Sequence, residues 1–229
     1  MGKKVSQLSL SITLDDEATF ENFYAPFGTL QHTAMQCLSK RSEPYIFLSG
    51  NAGTGLSHLL QAACKLERDS MYINLGLLDA NSTDKIFEGL EEGSLVCLDD
   101  IHIILLNQYW EKAVFHLFNR CCENGTRLVF ASHKRLNLMN IRFPDLITRL
   151  KSGVVLHFED YRDADLLNLI KYRAKRMGLN FTHDLAVYMF NRTKRSAGSV
   201  VDDLKKIDLK ALSEKRPITQ PLIKSALDL

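Results

Sequence analysis

The segment Gly50-Asn51-Ala52-Gly53-Thr54-Gly55-Leu56-Ser57 keeps every fixed position of a phosphate-binding loop, G-x-x-x-x-G-K-[ST], except the lysine, where Leu56 stands. In such a loop backbone N–H groups wrap the α- and β-phosphates, the helix that follows adds favourable potential, and the hydroxyl, here Ser57, reaches Mg²⁺. His58 follows on the first turn of that helix. The lysine alone reaches the β- and γ-phosphates, and losing one charged hydrogen bond costs about 1.5–3 kcal/mol, roughly ten- to a hundredfold in affinity. The loop therefore reads as a site for ADP or another nucleoside diphosphate, with or without Mg²⁺, and against self-sufficient NTP hydrolysis. A second motif, Leu95-Val96-Cys97-Leu98-Asp99-Asp100, is an apolar run that delivers two carboxylates at its end. Alone it is an ordinary strand exit; downstream of a phosphate loop, Asp99 becomes the candidate metal-side partner of Ser57, with Asp100 beside it.

The elements around these motifs read as a parallel α/β sheet. Short β-like runs at 45–48, 71–74, 95–98, 127–131 and 154–158 alternate with helical stretches at 57–66, 108–122 and 144–150. The first, third and fourth runs are nearly continuously apolar, as strands covered on both faces are. Beyond Phe158 only helices are expected, at 163–176, 182–191, 199–212 and 219–227, with Thr182 and Ser199 as N-caps, the latter with Asp202 three residues on. The chain divides into an arm over 1–14, an α/β base over 15–160 and a small all-helical lid over 161–229.

Composition is ordinary: 229 residues, 45% hydrophobic, 24% charged, formal charge +2. No run is long enough to span a membrane, and the start Met1-Gly2-Lys3-Lys4-Val5-Ser6 is too short a match to acylation signals to weigh. The five cysteines are odd in number and without C-x-x-C spacing, as reduced structural thiols are, which points to the cytoplasm. His32, His58, His102, His116, His157 and His183 show no metal-ligand spacing. Charge this near neutral gives no general nucleic-acid footprint.

Four segments together resemble the AAA+ module of the bacterial replication initiator DnaA: Thr19-Phe20-Glu21-Asn22-Phe23, the glycine loop, Leu98-Asp99-Asp100-Ile101, and Phe143-Pro144-Asp145-Leu146-Ile147-Thr148-Arg149-Leu150. The resemblance implies a P-loop base with a helical lid. It makes Arg149 the arginine finger that enters a neighbour's nucleotide site, a contribution that can be worth about 10³–10⁵ in rate. It places a sensor arginine near Gly198 and Ser199, where this chain has none; Arg195 lies one helical turn earlier. Ser132 or His133 stands where a polar sensor would follow the fourth strand.

The initiator's DNA-reading helix-turn-helix and oligomerisation domains have no counterpart in the sequence. The arm carries Gln7-Leu8-Ser9-Leu10-Ser11, similar to the pentapeptide by which bacterial proteins dock on the DNA polymerase III sliding clamp (its beta subunit): an amide for a polar rim and two leucines for a pocket. Finger and peptide together resemble those DnaA relatives that act with the DNA-loaded clamp to make DnaA in its ATP form hydrolyse its nucleotide, a negative control of initiation. DNA would then be met only indirectly, through the clamp, and self-association is compatible with the family. A lent arginine needs no hydrolytic lysine in the lender. The rival readings are a non-catalytic adaptor that binds DnaA or the clamp, and an autonomous ATPase of the DnaA or helicase-loader type, which Leu56 opposes.

Overall fold

The computed structural model describes residues 14–78 and 82–229; Gln7, Leu8, Ser9, Leu10 and Ser11 lie outside them. Five strands, β1 (Tyr45–Gly50), β2 (Ser70–Asn74), β3 (Leu95–Asp99), β4 (Arg127–Ser132) and β5 (Val154–Phe158), form one parallel sheet in the order β2-β3-β4-β1-β5. The apolar runs β3, β4 and β1 occupy the centre, while the more mixed β2 and β5 take the edges, because only a central strand must be apolar on both faces. Alternate residues feed two cores. Phe47, Val96, Leu98, Leu128 and Phe130 face one side; Ile46, Leu48, Leu95, Cys97, Val129 and Ala131 face the other, the period of two a strand dictates.

Helices α1 (Leu30–Lys40), α2 (Leu56–Leu66), α3 (Gln108–Asn124) and α4 (Pro144–Leu150) flank the sheet. Pro144 opens α4 at the position where no intrahelical N–H is lost. Helix α1 is absent from the sequence reading. It is capped by the Thr29 side chain accepting from His32 N–H, and it buries Ala34 and Leu38, but it also buries a polar residue, Gln31, whose amide donates to the Glu159 carbonyl at 3.0 Å. That buried amide breaks the apolar period a helix would otherwise show.

Four helices follow β5: α5 (Asp163–Arg176), α6 (His183–Phe190), α7 (Ala197–Glu214) and α8 (Gln220–Ala226). They enclose a core of their own that includes Leu169, Ile170, Met189, Leu204, Ile207 and Ile223. The cap of α6 is Thr182, as expected, but the cap of α7 is Ser196 rather than Ser199: the Ser196 hydroxyl accepts from Ser199 N–H at 3.2 Å, so Ser199 lies inside the first turn. These helices are fastened to the segment preceding α1. Arg173, buried, donates from Nη2 to Glu17 Oε2 at 2.9 Å and from Nη1 to the Asn22 carbonyl at 3.0 Å. Tyr161 donates to the Tyr24 carbonyl at 2.7 Å. Among the described residues no helix is long and apolar enough to cross a membrane.

Candidate functional site

The phosphate loop leaves the C-terminal end of β1 and enters α2. Two of its glycines are required by shape. Gly53 and Gly55 have φ of +83° and +93°, and a Cβ on Gly55 would stand 2.5 Å from the Phe23 ring. Thr54 is buried and its hydroxyl donates to the Asn51 carbonyl at 2.8 Å, while the Asn51 amide donates to Asp160 at 2.9 Å, so the loop is braced from inside and outside. Ala52 is exposed at the loop's tip. Gly55, as the residue before α2, supplies no side-chain cap. The first-turn N–H groups of α2 are thus left for another acceptor, which is what a phosphate offers.

Leu56 does not face the loop. Its side chain is 3% exposed and belongs to the core that holds Phe23, Leu59 and Leu60. The lysine position has been turned into packing, and no described cation replaces it: of the basic residues lining the adjoining cavity, Arg173 is paired with Glu17, and Lys205 lies 3.4 Å from Glu17 and 3.9 Å from Asp15. That cavity, about 200 Å³, lies between the loop, the 15–24 segment and the lid, with Tyr24, Tyr161, Leu169 and Val201 among its walls. The start of α7 rests on the loop, since a Cβ on Gly53 would lie 3.3 Å from Ser196 Cβ. His58 lines the cavity and donates Nε2–H to the Thr19 carbonyl at 2.7 Å. Burial lowers its pKa, with that hydrogen bond opposing.

Asp99 is 2% exposed at the end of β3, and both its oxygens are engaged: Oδ2 accepts from the Tyr72 hydroxyl at 2.7 Å and Oδ1 from the Asp100 N–H at 2.9 Å. Burial first, then the Asp99 charge, push the Tyr72 phenol well above its ordinary pKa, so it is a donor. The carboxylate expected to hold Mg²⁺ is therefore turned to a tyrosine and to its own backbone, and as arranged it does not fit a divalent ion. Asp100 adopts the left-handed region at φ 55° and points to His133, Oδ1 to Nε2 at 3.3 Å, while His133 Nδ1 lies 3.1 Å from the Gly50 carbonyl. Of the two sensor candidates, His133 is thus the one at the loop. Ser132 is spent on its own turn, donating to the Lys134 carbonyl at 2.8 Å and accepting from Lys134 N–H at 2.9 Å.

Arg195 is bound to Asp163 at 2.6 Å and lies over the Phe190 ring, away from the cavity wall. Arg149 sits in the last turn of α4, 5.9 Å above the Phe118 ring. Phe118 in turn lies against Tyr45, the first residue of β1, with ring centroids 4.6 Å apart and planes tilted by 42°. Burial and Cys122 push the Tyr45 phenol up to about 12, while the Arg149 charge pulls the other way. Arg149 and the phosphate loop thus lie at opposite ends of β1, a strand whose length at 3.3 Å per residue is about 16 Å. Arg149 forms no ion pair among the described residues. Sequence reasoning missed Tyr72 and Arg173; the first was findable only from strand register, which sets Tyr72 against Cys97 and hence diagonal to Asp99 on one face.

Residues 163–227 match the family model described as Hda, lid domain. Among solved structures, the fold is similar to domain III of the replication initiation protein DnaA from Thermotoga maritima, with TM-score 0.76 and 16% identity over 94% of this chain and 98% of that one. It is similar to AMPPCP-bound DnaA from Aquifex aeolicus, TM-score 0.68, 22% identity, 87% of this chain and 68% of that one. The RuvB Holliday junction branch migration motor of Thermotoga maritima shares it at TM-score 0.65 and 17% identity, over 87% and 67% of the two chains.

Proposed function

We propose that this chain, a DnaA-like AAA+ protein with a lid of the Hda type, restrains replication initiation by lending Arg149 to ATP bound on DnaA while its arm holds the DNA-loaded sliding clamp. The observation that carries the reading is the separation along β1. An arginine beside the first residue of β1, when the phosphate loop leaves the other end of that strand about 16 Å on, does not complete its own site, and in AAA+ chemistry such a residue serves a neighbour's γ-phosphate. The neglect of the chain's own hydrolytic apparatus, with Leu56 buried in the core, agrees with that division of labour. Its own loop, with the uncapped turn of α2, would take ADP or another nucleoside diphosphate as a structural ligand; a DnaA neighbour of the same fold holds AMPPCP.

The test is ATP hydrolysis by ATP-loaded DnaA in the presence of clamp-loaded DNA, with no addition, with this protein, or with Arg149→Ala. The expected result is stimulation lost with the arginine, and by about 10³-fold or more if the finger acts as fingers do elsewhere. Full stimulation by Arg149→Ala refutes the finger role, and no stimulation by either form moves the assignment to a non-catalytic adaptor.

A further inference from the structure

We propose that Tyr72 stands in for the divalent ion of this phosphate loop, so that the chain binds its nucleoside diphosphate without metal. The inference rests on the nucleotide-site reading above and extends it to what the site excludes. A Mg²⁺ at a P-loop needs the loop hydroxyl and a carboxylate oxygen, directly or through water, and it demands near-octahedral oxygen geometry that tolerates little displacement. Here the relevant carboxylate is sealed. Asp99 Oδ2 takes the Tyr72 O–H at 2.7 Å, Oδ1 takes the Asp100 N–H at 2.9 Å, and the side chain is 2% exposed.

The phenol is held in place by its strand. Tyr72 is 8% exposed on β2, and the parallel register opposite Cys97 points its ring to the α2 face, the face on which Asp99 emerges one step further along β3. Packed on β2 is α2, which carries Ser57, the loop residue that would ligate the ion, and, one helical turn on, Gln61, whose Oε1 accepts from Asp15 N–H at 2.8 Å. The hydroxyl therefore takes the carboxylate oxygen a cation would need, and supplies to the buried carboxylate the positive end of an O–H dipole in place of a full charge. With neither lysine nor metal, phosphate recognition falls to the backbone N–H groups of the loop and the start of α2.

The experiment is calorimetric titration of the full chain with ADP, once in MgCl₂ and once in EDTA, repeated on Tyr72→Phe, which keeps the ring and frees Asp99 Oδ2. The unmodified chain is expected to bind ADP equally in both buffers, within about twofold, or more weakly in MgCl₂, and Tyr72→Phe to gain a Mg²⁺ dependence of about tenfold or more. Tightening of the unmodified chain by about tenfold in MgCl₂ overturns the proposal, and this arm decides the matter even if the variant does not fold. A folded Tyr72→Phe with no Mg²⁺ response also overturns it. Absence of ADP binding in both buffers overturns the nucleotide-site reading as well, an outcome distinct from binding that tightens with metal.

Discussion

Replacing Gly55 by alanine tests the loop's geometry most directly. The backbone there has φ +93°, and an added Cβ would lie 2.5 Å from Phe23 Cε2 and 3.3 Å from Cζ of the same ring. Left-handed backbone costs an L-residue about 1–2 kcal/mol, partly offset by about 0.4–1 kcal/mol because alanine restricts the unfolded chain. The clash adds a cost of its own. Phe23 is 6% exposed and packed in the core beneath the loop, so its ring must shift to admit the new Cβ, and overpacking of that kind costs about 1–3 kcal/mol. Gly125→Ala is the matched control: φ is +73° at the end of α3 and no atom lies within 4 Å of the new Cβ. Urea unfolding followed by circular dichroism should show Gly55→Ala less stable than Gly125→Ala by the overpacking term, about 1–3 kcal/mol. In thermal unfolding, at about 2–4 °C per kcal/mol for a chain of this size, the gap is roughly 2–12 °C. Equal destabilisation by the two substitutions would mean that Phe23 does not abut Gly55.

The cap and the buried histidine give two further expectations. Ser196→Ala should cost about 1 kcal/mol, the usual value of a serine N-cap, whereas Ser199→Ala, whose side chain only accepts from Ser196, should cost less in the same urea titration; the reverse order would restore Ser199 as the cap. The pKa of His58 is lowered in the fold, chiefly by burial, so the neutral ring is the native form. Its contribution to stability is complete above its unfolded pKa of about 6.5 and declines as pH falls toward the depressed native value. His102, lowered chiefly by burial too, titrates in the same direction. His58→Gln, which can still donate to the Thr19 carbonyl, should therefore reduce but not abolish the fall in urea midpoint between pH 7 and pH 5, and an unchanged slope would show that His58 titrates alike in the folded and unfolded chain.

What the sequence made legible was set by whether a residue's environment is local. The strands β3, β4 and β1 showed themselves because burial on both faces demands an unbroken apolar run, which needs no knowledge of neighbours. The loop glycines and the proline of α4 were legible for the same reason: their backbone demands are written in single residues. Helix α1 was hidden because Gln31 is satisfied by the carbonyl of Glu159, on the far side of the chain in sequence. The cap of α7 was misassigned since Ser196 and Ser199 are chemically alike and only the dihedral angles separate them; Ser196 is extended at φ −139°. Leu56 was read as a lost ligand, and its second role as a core residue emerged only with the packing of α2. Tyr72 required the register between β2 and β3, which no local pattern supplies.

The placement of Arg149 at one end of β1 and the phosphate loop at the other gives the molecule a direction. Bodies that join donor to acceptor meet through unlike surfaces, and such contacts propagate into rings or filaments unless something interrupts them. Under the function proposed above, this subunit carries a usable donor but an acceptor whose lysine has become packing and whose Asp99 is tied to a phenol. It can complete the site of the molecule ahead, and it presents to any molecule behind a site not worth completing. In polymer terms it is an end group: its addition consumes the growing terminus of a stack and creates no new one.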